Sequence, residues 1–147
     1  MRTSVPDSLA CTGDEAGLRR LVDNLVRNAI RHARSRVELR LHATREAAVL
    51  EVDDDGPGIA PGDRRAVFEP FVRLDHARAR KDGGSGLGLA IVQAVATQHG
   101  GEVTIIDSPL GGARFRVILP RLRVSFRGRC RSPGHPRPPG PVPSPCA

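Results

Sequence analysis

Leu18, Leu21, Val22, Leu25, Val26, Ala29 and Ile30 recur at spacings of three and four, the period of an amphipathic helix. The pattern predicts a helix over residues 14–33, with Thr12 or Asp14 as its cap and capping-box spacing between Thr12 and Glu15. A short strand is expected ahead of it, over residues 5–11. The period then changes to two. Val37, Leu39 and Leu41 alternate with Glu38, Arg40 and His42, and the apolar segment AAVLEV follows a polar turn at residues 44–46, so two paired strands are predicted. Residues 55–62 are dense in Gly and Pro and read as a loop, with a brief helical turn over residues 64–68. Residues 77–86, ARARKDGGSG, are polar and glycine-rich, the composition of a lid. Leu89, Ile91, Val92, Val95 and Ala96 restore the helical period over residues 87–99, which Gly100 and Gly101 close. Two strands, EVTII and ARFRVIL, flank a last turn at residues 108–112. The sum is an α/β fold, a two-layer sandwich whose mixed, mostly antiparallel sheet is covered on one face by helices.

Composition narrows this picture. The 147 residues suit a single core, and with four Phe and no Trp or Tyr that core must be built from Leu, Val, Ile and Ala. No apolar run approaches the roughly 20 residues that cross a bilayer, and the opening residues lack the apolar stretch of a signal peptide. A cytoplasmic location without a membrane segment is expected. Cys11, Cys130 and Cys146 are widely spread and lack metal-ligand spacing, so they read as free thiols. The net charge of +7 raises the question of a nucleic-acid partner. Its position argues against one: Arg121, Arg123, Arg127, Arg129, Arg131 and Arg137 lie together in a Pro-rich tail without acids. Residues 1–120 are therefore read as the domain, and 121–147 as a disordered tail of no assigned role.

Three clusters carry candidate chemistry. Asn24, Asn28 and Arg31 stand at i, i+4 and i+7, on a stripe of the first helix beside its apolar one. A single amide oxygen next to a cation suits Mg²⁺, which keeps waters and phosphate oxygens as its other ligands. The run Asp53-Asp54-Asp55-Gly56-Pro57-Gly58 takes a strand into a turn with carboxylates at its end, where one is placed to accept an adenine amine. The run Gly84-Ser85-Gly86-Leu87-Gly88 leads into the second helix, whose N–H groups and dipole favour phosphate. It has neither the dinucleotide-binding nor the Walker spacing. Each cluster alone also fits a structural reading: solvated helix asparagines, an acidic surface turn, a glycine hinge.

Order and spacing go further. LVDNLVRNAIRHA, DDDGPGI, VFEPFVRLD and GGSGLGLAIV resemble, in sequence, the asparagine, first glycine, phenylalanine and second glycine boxes of the sensor histidine kinases. SPLGGARFRVILP resembles their closing segment, and the likeness covers residues 5–120. The family lies within the superfamily that includes gyrase, Hsp90 and MutL. The resemblance implies an ATP-binding catalytic domain that phosphorylates a histidine with ATP and Mg²⁺. Asn28 would coordinate Mg²⁺, Asn24 would support the same site and Arg31 would face the phosphates. Asp54 would read adenine, with Gly56 and Gly58 shaping its pocket. Gly84, Gly86, Leu87 and Gly88 would border the phosphates, and Phe68 and Phe71 would form the base of the lid. Arg73 matches a position near the γ-phosphate, and a solvated surface arginine is the competing reading. His32 matches a position near the nucleotide, or simply packs.

Two departures from the family pattern matter. Ala113 stands where many relatives carry Thr or Ser, so one hydroxyl near the adenine is missing. None of His32, His42, His76, His99 or His135 has the surroundings of a phosphoacceptor, so the acceptor must come from a histidine-bearing dimerisation domain elsewhere, which would in turn serve a response regulator. Serine kinases of the anti-sigma type, and the ATP hydrolases, carry a glutamate at the position of Asn24, where it acts as a base. An asparagine cannot take a proton, which favours a histidine acceptor over serine. A non-catalytic ATP-binding fragment stands as a further alternative.

Overall fold

The computed structural model describes residues 1–4, 13–72 and 86–120. Helix α1 spans Glu15–His32 and begins where expected, because the Asp14 carboxylate accepts from the N–H groups of Ala16 and Gly17 at 3.1 and 3.0 Å. Thr12, the other candidate cap, lies outside the described residues. The helix stops at Ala33, whose backbone is extended. Leu21, Leu25 and Ala29 are its buried stripe.

Five strands form one sheet: β1 (Arg2–Ser4), β2 (Val37–Ala43), β3 (Ala47–Asp54), β4 (Glu102–Asp107) and β5 (Ala113–Pro120), in the order β1-β2-β3-β5-β4. Only β1 runs parallel to its neighbour. The sheet is thus mixed and mostly antiparallel, as the order of the predicted elements suggests. The strand expected over residues 5–11 lies outside the described residues. The edge strand that is described starts earlier, with Arg2 opposite Glu38. Two 3-10 turns, Pro61–Asp63 and Ala66–Phe68, stand in place of the single helical turn expected over 64–68.

Helix α2 spans Gly88–Gln98. Gly100 ends it with φ +69°, a left-handed conformation that costs glycine little, and the Gly101 N–H returns to the Ala96 carbonyl at 2.9 Å. Both helices pack on the same sheet face. Leu21, Leu25 and Ala29 of α1 and Val92, Val95 and Ala96 of α2 share a core with Leu39, Leu50, Val52, Ile105, Phe115 and Val117 of the strands. His99 joins the two helices at their far ends: its Nε2 accepts the Asp14 N–H at 3.0 Å, and its Nδ1–H donates to the Val95 carbonyl at 2.8 Å. Both ring nitrogens are engaged, one as acceptor and one as donor, as the neutral ring requires.

Among the described residues no helix is long and apolar enough to cross a membrane. The tail at 121–147 and all but Gly86 of the lid expected over residues 77–86 lie outside the described residues. Phe115 is fully buried at the centre of the core. Phe115→Ala should therefore lower unfolding free energy by about 3–5 kcal/mol, read from urea unfolding followed by circular dichroism.

Candidate functional site

Period two on β3 sends neighbouring carboxylates to opposite faces of the sheet. Asp54 points into the helix layer and is 2% exposed. Its Oδ1 accepts from the Gly56 N–H at 2.8 Å and the Ala113 N–H at 3.2 Å. Its Oδ2 takes no hydrogen bond among the described residues. Two glycines are compelled by this packing. A Cβ on Gly56 would lie 2.4 Å from the His32 carbonyl oxygen, and one on Gly112 would lie 2.2 Å from Asp54 Oδ1. Gly58, with φ +74°, carries the chain away past Gly112.

Asp55 turns back toward the end of α1. It accepts from the N–H groups of Arg34 and Ser35 at 2.8 and 3.0 Å and from the Ser35 hydroxyl at 2.7 Å. The Ser35 bonds, more than any other, hold its carboxyl well below the usual carboxylate range. Asp53, on the open face, is fully buried among Arg40, Arg114 and Ser108. Burial pushes its pKa up, but the bonds from Arg114, Arg40 and Ser108 outweigh that and lower it.

Helix α1 presents the asparagine stripe half-buried toward α2. Asn24 donates from Nδ2 to the Arg20 carbonyl at 2.8 Å, which leaves its Oδ1 against Gly88, where a Cβ would come within 3.0 Å. A side chain at position 88 would require the Asn24 amide to shift by a few tenths of an ångström. The Asn28 amide has no hydrogen-bond partner among the described residues. Arg31 is exposed and makes no ion pair there. His32 is exposed, yet desolvation holds its pKa below the usual value, with Asp54 opposing the fall and Arg31 adding to it.

Among the described residues no side chain caps the first turn of α2, whose N-cap is Leu87. Gly86 precedes it with φ +70° and accepts the Phe71 N–H at 3.1 Å. Phe68 is a core residue, 6% exposed, whereas Phe71 is 73% exposed and has φ +66°. The two phenylalanines do not share a role in packing. Arg73 and Gly84 lie outside the described residues.

The fold therefore gathers Asp54, Gly56, Gly58 and His32 at one end of β3, and Asn24 against Gly88 at the start of α2. Gly112, Asp55 and Ser108 were not picked out by reasoning from motifs alone. The Gly-Gly pair before β5 and the alternation through three aspartates are the signals that point to them.

The described residues thus form a two-layer sandwich with a buried carboxylate at the end of β3 and a second helix that starts without a side-chain cap. The model of the family described as histidine kinase-, DNA gyrase B-, and HSP90-like ATPase matches residues 13–123. The chain belongs to this family. It is similar to the sensor histidine kinase CpxA of Escherichia coli (strain K12), at 45% identity over 113 residues, 77% of this chain and 25% of CpxA. The sensor protein RstB of the same organism is 52% identical over 103 residues, 70% of this chain and 24% of RstB. The chain spans about a quarter of the length of these curated relatives. Among solved structures, the ATP-binding domain of PrrB from Mycobacterium tuberculosis is 36% identical with a TM-score of 0.65, covering 82% of this chain and 79% of that one. The mycobacterial sensor histidine kinase MprB is 39% identical with a TM-score of 0.68, covering 76% of each.

Asp53 and Asp55 both have folded pKa values below their unfolded ones. The stability they contribute is present in full above the unfolded carboxylate value of about 4, and is lost as pH falls through the folded values. Thermal melts should decline below about pH 4, and Asp55→Asn should flatten that decline while lowering the melting temperature at neutral pH.

Proposed function

We propose that this chain is the ATP-binding, phosphoryl-donating part of a sensor histidine kinase. It acts in the cytoplasm, where ATP is supplied, on a histidine carried by a separate helical dimerisation domain or chain. A response regulator receives the group in turn. The observation that carries this reading is Asp54, a buried carboxylate with Oδ1 fixed by two backbone N–H groups and Oδ2 unbonded. An adenine amine donating to Oδ2 completes its shell and lends specificity, since a base without that amine leaves a buried acceptor unpaired.

The Asn28 amide, half-buried and unpartnered among the described residues, fits one ligand position of Mg²⁺. No group of three His, Cys, Asp or Glu converges among those residues to hold a metal alone, so the donor set suits an ion that keeps waters and phosphate oxygens. When bound, Mg²⁺ neutralises charge on the β- and γ-phosphates. Asn24 holds the start of α2 against α1, so that the N–H groups of its first turn meet the phosphates. Arg31 adds positive charge there, Gly86, Leu87 and Gly88 let the backbone approach, and His32, Gly56 and Gly58 border the base; for Arg73 and Gly84, outside the described residues, a phosphate role rests on the family resemblance alone.

In the transfer step, a lone pair on a neutral imidazole nitrogen attacks the γ-phosphorus. The N–P bond forms, the bond from that phosphorus to the bridging oxygen breaks, and ADP leaves with the electron pair. The attacking nitrogen already holds its lone pair, so it needs less activation than a hydroxyl, and the proton on the other ring nitrogen leaves to solvent or to a base on the acceptor's own domain; positioning and charge neutralisation supply the rest. Hydrolysis or serine phosphorylation needs a base at position 24, where Asn24 is committed to the Arg20 carbonyl.

Asp54→Asn keeps the shape but sets an amide N–H against the adenine amine. It should weaken ADP binding by about ten- to a hundred-fold, the equivalent of one charge-assisted bond, in calorimetric titration. Unchanged affinity would refute the role of Asp54. With γ-labelled ATP, Mg²⁺ and a separately made histidine-bearing helical hairpin, the label should appear on the hairpin in acid-labile, base-stable form. Acid-stable label on a protein partner points instead to serine chemistry.

A further inference from the structure

Asp54 can present Oδ2 to a base only while its Oδ1 is held, and the Ala113 N–H that holds it sits at the exit of the turn between β4 and β5. Ala113 has no hydroxyl to strengthen the link. The position of the Ser108–Gly112 turn therefore sets the orientation of Asp54, and tolerance is small: Gly112 is packed so closely that a Cβ there would meet Asp54 Oδ1 at 2.2 Å and the Gly56 nitrogen at 2.5 Å.

Ser108 fastens that turn at every polar atom it has. Its N–H donates to the Gly112 carbonyl at 2.9 Å, its carbonyl accepts the Gly111 N–H at 2.9 Å, and its Oγ accepts the Leu110 N–H at 3.1 Å. Its hydroxyl proton goes across the sheet to Asp53 Oδ1, at 2.9 Å. Asp53 is fixed in turn by Arg114, through Nε at 2.8 Å and Nη2 at 3.1 Å, and by Arg40 Nη2 at 2.6 Å. A continuous chain of bonds thus runs from β2 and β5 on the open face, through Asp53 and Ser108, to the turn and to Asp54 on the helix face.

We propose that Ser108 and Asp53 are positioning residues for adenine recognition: without touching the nucleotide, they hold the turn whose Ala113 N–H orients Asp54. This rests on the reading of Asp54 as the residue that accepts the adenine amine.

The test compares calorimetric binding of ATP with that of purine riboside triphosphate, which lacks the 6-amino group, both with Mg²⁺, to the full chain and its variants. The unaltered protein should favour ATP by about ten-fold or more. In Ser108→Ala the preference should fall to about a third or less of that ratio while the affinity for the analogue stays within about two-fold. Ser108→Cys keeps a side chain of the same shape, somewhat larger and with only a weak donor, and should behave alike, which guards against a folding defect from the space left in the first variant. Asp53→Asn should reduce the ratio as well. If the unaltered protein binds both nucleotides equally, the assignment of Asp54 fails and this inference falls with it. If it prefers ATP and the serine variants keep the full ratio, or lose both affinities in proportion, Asp54 stands and the positioning role is overturned.

Discussion

A carboxylate can be removed from water only where donors replace the water it gives up. The end of β3 meets that condition twice within two residues, with different donors on each face. Asp53 is surrounded by guanidinium groups and a hydroxyl, so its charge is matched and its shell filled. Asp54 has backbone N–H groups on one oxygen only. The first arrangement is closed and structural. The second leaves one oxygen without a protein donor among the described residues, and the glycines at 56 and 112, the turn before β5 and the end of α1 surround it.

The remaining parts of the site come from elements remote in sequence. Helix α1 brings the asparagines, and α2 brings a first turn without a side-chain cap among the described residues. Their mutual position is fixed at both ends of the pair. Asn24 rests on Gly88 near the site, and His99 joins the end of α2 to the start of α1 away from it. Between these two contacts lies the apolar seam of Leu21, Leu25, Val92, Val95 and Ala96. Chemistry is thereby confined to one end of a rigid helix pair.

The elements whose period dominates their composition are legible directly. Seven apolar residues mark α1 to within a residue or two, and alternation marks β2, β3 and β5. The edge strand β1, three residues long and wholly exposed, has no such pattern. Nor does the exposure of Phe71, since an aromatic residue near a loop reads as core until its left-handed backbone is seen. For the site, Asn24, Asn28, Asp54 and the glycines follow from motif and order. Gly112 and Ser108 do not, because what requires them is a distance to a residue more than fifty positions away. Sequence carries such a constraint only as a Gly-Gly pair and a serine in a turn, features common to many loops.

Because β3 lies third of five, paired on both sides, its register is shared by β2 and β5 at once. Moving it by one residue would exchange the faces of Asp53 and Asp54. The guanidinium cluster would then meet the carboxylate that Gly56 and Ala113 now hold, and the helix layer would receive one without those N–H groups. Stability and recognition are written in the same frame, so insertions or deletions within this strand cannot be absorbed by one at the expense of the other. Length variation in the domain is accordingly steered into its loops and ends.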